Sequence, residues 1–137
     1  MLIKIITILM VLLGVSTLAS CGGSSKAAVT GTVTYLQRIA LPSDAVVTVR
    51  IEDVSKADAP PELIGEQVIK TRGVQVPIPF AVPYGPDKIE GNLSYSLRVR
   101  IEDGTSKLLF INDTSIPVIT RGNPIPDIEI VLVPAVG

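Results

Sequence analysis

The chain has 137 residues, with 12 basic and 13 acidic side chains, one cysteine and no histidine or tryptophan. Lys4 is the only charged residue in positions 1–20, so the rest of the chain carries 11 basic and 13 acidic residues. This slightly acidic balance argues against nucleic acid as a partner and against electrostatic adhesion to anionic lipid. A single thiol also excludes an intramolecular disulfide.

Residues 1–20 have the layout of a secretory signal peptide, which we expect to be removed. Lys4 supplies the positive n-region, residues 5–13 form an apolar h-region, and small residues then lead to Cys21. The apolar stretch is shorter than the roughly 20 residues that a membrane-spanning helix needs.

The sequence LASC at 18–21 resembles the bacterial lipobox, in which a cysteine follows a leucine and two small residues. The resemblance implies a diacylglyceryl group on the thiol of Cys21, cleavage before this residue and acylation of the new amino terminus. Residues 21–28 then form a lipidated, flexible tether rich in Gly and Ser. Gly22 stands where lipoproteins kept in the inner membrane typically carry Asp, so the implied location is the periplasmic face of the outer membrane. The alternative is an ordinary secretory signal with an incidental cysteine.

Residues 29–137 are predicted to form one all-β domain, because short runs of β-branched residues alternate with Pro, Gly, Asn and Asp. No long helix is predicted, although residues 60–64 are compatible with one helical turn that starts at proline. Strands without helices to cover them must bury their apolar faces against each other. This predicts a single β-sandwich of about seven to eight strands, or a small barrel. The predicted strands are 29–36, 45–54, 67–71, 78–82, 93–102, 107–112, 116–120 and 128–133.

The pentapeptide VRIED occurs twice, at 49–53 and at 99–103. In both copies Val and Ile alternate with Arg and Glu, which predicts strands that bury Val and Ile and expose Arg and Glu. Each copy ends in an Asp at a predicted turn, where the carboxylate often bonds its own backbone. The flanking residues are not repeated. This favours convergent strand-and-turn chemistry over an old duplication.

The acidic strand ends raise the possibility of a cation site. Ca²⁺ takes about six to eight oxygen ligands, and five acids could contribute if their strand ends converge: Glu52, Asp53, Glu102, Asp103 and Asp113. No loop has the dense D-x-D spacing that arranges several ligands, so solvated turn residues are the preferred interpretation. We predict no metal and no cofactor.

The sequence also lacks the residues and motifs of common catalytic sites. Without histidine or a free thiol, the usual pairs of base and nucleophile are missing. There is no G-x-S-x-G motif and no Gly-rich phosphate loop. The chain is therefore predicted to be non-enzymatic, with no catalytic residues.

Four segments resemble the YbaY/YscW lipoprotein family, in the same order and over most of the chain after the signal. They are GTVTY at 31–35, IALPSDAVVTVRIEDVSKADAP at 39–60, PIPFAVPY at 77–84 and PVITRGNPIPDIEIVLV at 117–133. The family consists of small β-sandwich lipoproteins. Its type III secretion branch contains pilotins, which carry secretin subunits to the outer membrane. The complete LPSDAVVTVRIEDVS block is closer to the YbaY-like branch. The resemblance implies a secretin as a possible client and supplies no catalytic or ligand motif.

The strand predicted at 78–82 is unusual because Pro77 and Pro79 each remove a backbone donor, which confines it to an edge or a bulge. The preferred interpretation is protection, since prolines blunt an edge against aggregation. The alternative is a partner segment that docks here by strand addition or apolar contact. In that case Phe80 and Tyr84 are the predicted partner-binding residues.

Two functions remain open from the sequence. The first is a binding module or pilotin-like chaperone for an envelope protein, brought to the membrane by its lipid anchor. The second is a structural envelope lipoprotein with no dedicated client.

Overall fold

The computed structural model describes residues 27–135, which form eight strands and one short 3₁₀ turn. The elements in chain order are β1 (Ala27–Tyr35), β2 (Val46–Asp53), β3 (Glu62–Lys70), β4 (Ile78–Tyr84), the 3₁₀ turn (Pro86–Lys88), β5 (Tyr95–Glu102), β6 (Leu108–Ile111), β7 (Pro117–Val118) and β8 (Ile128–Pro134). The all-β prediction is confirmed. Within these residues, no helix has the length and apolar character needed to cross a membrane. The predicted signal peptide and Cys21 lie outside the described residues.

The strands form one continuous path in the order β3-β2-β5-β6-β8-β1-β4, and β7 pairs with β5. Strands β1 and β8 are parallel, and the other pairs are antiparallel. The short strand β6 joins the layer β3-β2-β5 to the layer β8-β1-β4. The two layers pack face to face around one core, so the predicted sandwich is a sheet that bends back on itself and nearly closes.

The core is built from the inward side of each strand. Strand β4 shows the alternation most clearly, with every second residue buried from Ile78 to Tyr84. The rings of Tyr35 and Phe110 stack in the core, with centroids 4.1 Å apart and planes inclined by 3°. The Tyr35 hydroxyl donates a hydrogen bond of 2.6 Å to the carbonyl of Ile39, and burial raises the pKa of Tyr35.

The two VRIED copies lie side by side on β2 and β5, with Val49 directly opposite Val99. Their Val and Ile side chains are fully buried, as predicted. Glu52 departs from the prediction of an exposed side chain because Ser96 lies opposite it on β5 and Arg98 of the same strand pairs with it. Its side chain is only 12% exposed, and its carboxylate accepts a hydrogen bond of 2.8 Å from Nε of Arg98.

Strand β3 also differs from the sequence prediction. It begins at Glu62 rather than at residue 67, because residues 62–65 extend the pairing with β2. The helical turn considered at 60–64 is therefore not formed. The 3₁₀ turn lies instead at Pro86–Lys88, where proline occupies the first turn.

Gly31 on β1 lies directly opposite Ile128 on β8. A Cβ at this position would overlap the carbonyl oxygen of Ile128. The obstacle is main chain on a neighbouring strand, so a side chain at Gly31 would have to push the two strands apart. Glycine is required here by contact rather than by backbone conformation.

Candidate partner-binding surface

Strand β4 carries the predicted partner-binding residues and places both of their rings in the core. Phe80 is 4% exposed and Tyr84 is 9% exposed. The alternation places Pro79, Ala81 and Pro83 on the exposed side. A partner that approaches β4 from outside meets these small side chains first. Contact of Phe80 or Tyr84 with a client stays a prediction.

The free edge of β4 is poor in backbone donors. This strand ends the sheet path, as expected from its prolines. Ala81 donates its N–H to Oε1 of Gln67 on β3 at 2.7 Å, so the main chain of every second residue points away from β1. On either side of Ala81 this edge presents Pro79 and Pro83, which have no N–H. From Pro79 to Pro83, this edge of β4 therefore offers no free N–H, because the prolines lack one and the N–H of Ala81 is bonded to Gln67.

Strand β3 lies across this edge of β4. The main chain at Gly65 is so close to the carbonyl oxygen of Pro83 that a Cβ would overlap it. Gln67 makes its bond to Ala81 two residues further along. Gly65 and Gln67 both belong to the less exposed side of β3. The inner side of β3 therefore covers the edge of β4, without a ladder between the two strands.

The outer edge of β3 itself is open. The N–H of Thr71 donates to the carbonyl of Ala45 at 3.0 Å, so alternate residues of β3 direct their main-chain groups towards β2. The N–H and C=O groups of the residues between them point the opposite way. These groups belong to Glu66, Val68 and Lys70, and we term them the β3 edge.

The surroundings of the β3 edge are accessible and partly apolar. Val68 is 55% exposed. An open groove of about 570 Å³ runs along this part of the strand, lined only by residues of β3 and the following turn. These residues are Gln67, Val68, Ile69, Lys70 and Arg72. No other strand contributes to the groove, which is consistent with an uncovered edge.

Charged side chains on the outer face of β2, β3 and β5 neutralise one another. Nε of Arg50 lies 2.6 Å from Oε2 of Glu66. Arg98 pairs with Glu52 on the neighbouring strand, and Arg100 pairs with Glu102 on its own strand. Within residues 27–135, Lys70 and Arg72 take part in no ion pair. The end of the β3 edge near Lys70 is therefore its positively charged end.

The starts of β1 and β3 define one end of the molecule. Ala27 pairs with Tyr84, and Pro83 meets Gly65, so β1 and β3 begin at the same end. Residues 1–26, which include the predicted lipid site at Cys21, precede β1 at this end, and we therefore term it the anchored end. The opposite end, the distal end, contains Lys70 and the loops that follow β1 and β3.

The distal end is ordered by one side chain and exposes several apolar residues. Gln75 accepts a hydrogen bond of 2.7 Å from the N–H of Leu41 and donates one of 3.2 Å to its carbonyl. This pair joins the loop after β3 to the loop after β1. The largest exposed apolar side chains of these loops are Leu36 at 79%, Ile39 at 60% and Val74 at 57%.

The acidic residues considered as a cation site do not converge. Because β2 and β5 are antiparallel, the Glu-Asp pairs that end them lie at opposite ends of the sheet. Asp53 accepts the N–H of Ser55 at 2.9 Å, and Asp103 accepts those of Thr105 and Lys107 at 2.8 and 3.0 Å. Hydrogen bonding with Ser55 lowers the pKa of Asp53, and hydrogen bonds from Thr105 and then Lys107 lower that of Asp103. Both carboxylates accept main-chain hydrogen bonds within the turns that follow β2 and β5, as predicted.

Buried polar groups of the described residues serve the fold. The hydroxyls of Thr71 and Thr120 donate to the carbonyls of Ala45 and Leu93 at 2.8 and 2.7 Å. In this part of the chain, every buried side-chain nitrogen or oxygen has a hydrogen-bond partner. The same residues contain no cluster of three or more acids, cysteines or histidines suited to a metal.

Known proteins resemble this chain in sequence and in fold. Residues 24–130 match the family described as "Type III secretion system lipoprotein chaperone (YscW)". "Uncharacterized lipoprotein YbaY" of Escherichia coli (strain K12) is 38% identical over 105 residues, which are 75% of this chain and 54% of that protein. The chain thus spans about half the length of this curated relative.

A solved structure extends the likeness to the fold. It is described as an alternative pilotin from the type II secretion system of Vibrio cholerae, and it matches with a TM-score of 0.77 and 42% identity. The match covers 82% of this chain and 99% of the pilotin chain. From the extent of these matches, the chain belongs to the YscW family of secretion-system lipoprotein chaperones.

Proposed function

We propose that this chain is a lipoprotein of the outer membrane, facing the periplasm, that acts as a pilotin-like chaperone without catalytic activity. Its client is an envelope protein such as a secretin, which it holds and accompanies to the membrane. The observation that carries the proposal is the likeness to a pilotin at 42% identity across 99% of that protein's solved chain. Because the match covers nearly the whole solved chain of the pilotin, this chain contains the complete fold seen in that structure.

The anchored end gives the proposal a geometry. Five residues lie between Cys21 and Ala27, where β1 begins, and the six steps from one to the other reach about 20 Å at roughly 3.5 Å each. The lipid on Cys21 therefore holds the domain next to the membrane, with the distal end directed towards the periplasm. Several acyl chains, at about 0.8 kcal/mol for each buried CH₂, make this attachment durable.

The non-catalytic part of the proposal is supported by how the polar groups are used. The chain has no histidine, and the buried hydroxyls of Thr71 and Thr120 are bonded to backbone carbonyls. Glu52, the most buried carboxylate described, is paired with Arg98. With these polar groups engaged in the fold, we propose that the chain acts by binding a partner at its surface while its lipid holds it at the membrane.

The test is chemical crosslinking in intact envelopes, followed by purification of this chain and identification of the proteins attached to it. We expect one outer-membrane protein to be recovered with the lipidated chain. Cys21→Ser is the matched control, because it removes the anchor and leaves residues 27–135 unchanged. This variant should lose acyl labelling and outer-membrane fractionation, and still bind the client without delivering it.

Two results would overturn the proposal. Recovery of no protein by the lipidated chain would favour a structural lipoprotein without a client. Unchanged labelling and fractionation of Cys21→Ser would refute the lipid anchor itself.

A further inference from the structure

We infer that the β3 edge is a strand-addition site, at which one extended segment of the client pairs with Glu66, Val68 and Lys70. The inference rests on the proposed function, because it names the surface by which the client is held. Each of the three residues offers one N–H and one C=O on the same side of the strand. Donors and acceptors repeated at every second residue match an extended backbone and not a helix, whose own groups are already bonded.

The fold leaves this edge open while it closes its neighbour. On β4, Pro79 and Pro83 have no N–H, and the N–H of Ala81 is taken by Gln67. On β3, no proline interrupts the strand between Glu62 and Lys70. Native proteins usually protect exposed edges with proline, charge or a covering element. The β3 edge carries charge at Glu66 and Lys70, but it has neither proline nor a covering strand, so its main-chain groups stay accessible for pairing.

The side chains along the edge specify the chemistry of the segment. Val68, which is 55% exposed, favours an apolar residue opposite it. Lys70, with Arg72 beside it in the groove, favours an acidic residue opposite. Glu66 favours a basic residue, although Arg50 already partly neutralises it. An antiparallel client segment therefore reads acidic, any, apolar, any, basic from its amino to its carboxyl end.

The strand β3 has this pattern itself, as Glu66-Gln67-Val68-Ile69-Lys70, so a second copy of the chain is a competing occupant. Antiparallel pairing of two β3 strands about Val68 directs the two anchored ends in opposite directions along the strands. A nine-residue strand is about 30 Å long, which exceeds the reach of about 20 Å that the tether gives to each lipid. Two upright, lipidated copies paired in this way therefore do not share one membrane, which favours a client segment as the occupant.

The first test uses the purified lipidated protein in detergent and a labelled peptide with the sequence of residues 62–70, ELIGEQVIK. The control peptide exchanges the Glu and Lys that correspond to positions 66 and 70, which places like charges opposite each other. Fluorescence anisotropy should show that the first peptide binds roughly tenfold more tightly, as expected for two reversed cross-strand charge pairs. Equal binding of both peptides, or no binding, overturns the inference.

The second test separates main-chain from side-chain recognition. Val68→Pro removes an N–H that points away from β2, so it should abolish peptide binding while the ladder with β2 remains. Val68→Thr keeps that N–H and should change the affinity less than threefold. Peptide binding by Val68→Pro at the level of the unchanged protein overturns the inference.

A third measurement does not depend on the folding of the proline variant. A photo-crosslinking amino acid is placed at position 68 or at position 131 in the lipidated chain, in intact envelopes. Val131 is a matched control, because it is an exposed valine at 43% that lies on β8, between β1 and β6 in the sheet. We expect an envelope protein to be crosslinked from position 68 and not from position 131.

The outcomes distinguish this site from the proposed function. Crosslinks to an envelope protein from other surfaces, with none from position 68, overturn the strand-addition site and leave the chaperone role intact. Crosslinks from position 68 to a second copy of this chain overturn the assignment of the occupant. Recovery of no envelope protein from any position overturns both proposals.

Discussion

Replacing Ile101 by alanine should destabilise the domain far more than replacing its neighbour Arg100. Ile101 is 0% exposed, in the second VRIED copy. The substitution removes three buried carbon atoms, each worth about 0.8 kcal/mol. The cavity that remains adds to this loss, so we expect about 3 kcal/mol, within the range of about 2–5 kcal/mol for such truncations. The side chain of Arg100 is 48% exposed and pairs with Glu102 on the same strand, so its removal should cost less than about 1 kcal/mol.

Urea titration of the unfolding free energy measures both effects in the same buffer. With a denaturant slope of about 1–3 kcal/mol/M, Ile101→Ala should lower the midpoint by about 1–3 M. Arg100→Ala should lower the midpoint by a much smaller amount, with an unchanged slope. If Arg100→Ala lowered it more than Ile101→Ala, the assignment of the two faces of β5 would be refuted.

Three further outcomes follow from other parts of the molecule. Gly31→Ala should cost at least about 1–3 kcal/mol in urea titration, because its Cβ would overlap main chain of β8, whereas Gly91→Ala meets nothing within 4 Å and should stay within about 1 kcal/mol. The lowered pKa of Asp103 means that its carboxylate favours folding above the unfolded value of about 3.9, and that this contribution is lost as the pH falls through the folded-state pKa. Asp103→Asn should therefore weaken the decline in stability below about pH 4 in urea titrations over the acid range. Cys21→Ser should abolish incorporation of labelled palmitate, and retained label would refute the lipid anchor.

Period-two alternation predicted most of the strands because it is a local signal that burial on one face imposes. It succeeded for β2, β4 and β5, where Val, Ile and aromatic residues alternate with other side chains. It missed the first half of β3, where Glu62-Leu63-Ile64-Gly65 does not alternate and the pairing with β2 decides the structure. It also assigned Glu52 to solvent, because the ion pair with Arg98 that shields this carboxylate joins two strands distant in sequence.

The repeat contains a further signal in the residues that follow it. Both VRIED copies continue as Asp-x-Ser or Asp-x-Thr, and in both the Asp accepts the N–H two residues later. This pairing is typical of an Asx-turn. The similarity between the two copies therefore extends past the identical pentapeptide to a hydroxyl residue, Ser55 or Thr105, and the turn that each Asp forms explains it.

The candidate surface was only partly accessible from the sequence. The prolines of β4 correctly indicated an edge strand. They did not reveal that Phe80 and Tyr84 are buried, although strict alternation with Pro79 and Ala81 places these rings on one face. The open edge of β3 depends on the contacts of Gly65 with Pro83 and of Gln67 with Ala81. These contacts join residues of two different strands, so the local sequence pattern of either strand does not predict them.

The central claim is that the lipid-anchored chain brings an envelope client to the outer membrane. The most direct measurement is the amount of the crosslinked client in outer-membrane fractions from cells that lack this chain, supplemented with the unchanged chain or with Cys21→Ser. The account predicts that the client is depleted from the outer membrane without the chain, restored by the unchanged chain and not restored by Cys21→Ser. Equal amounts of the client in all of these fractions would contradict it.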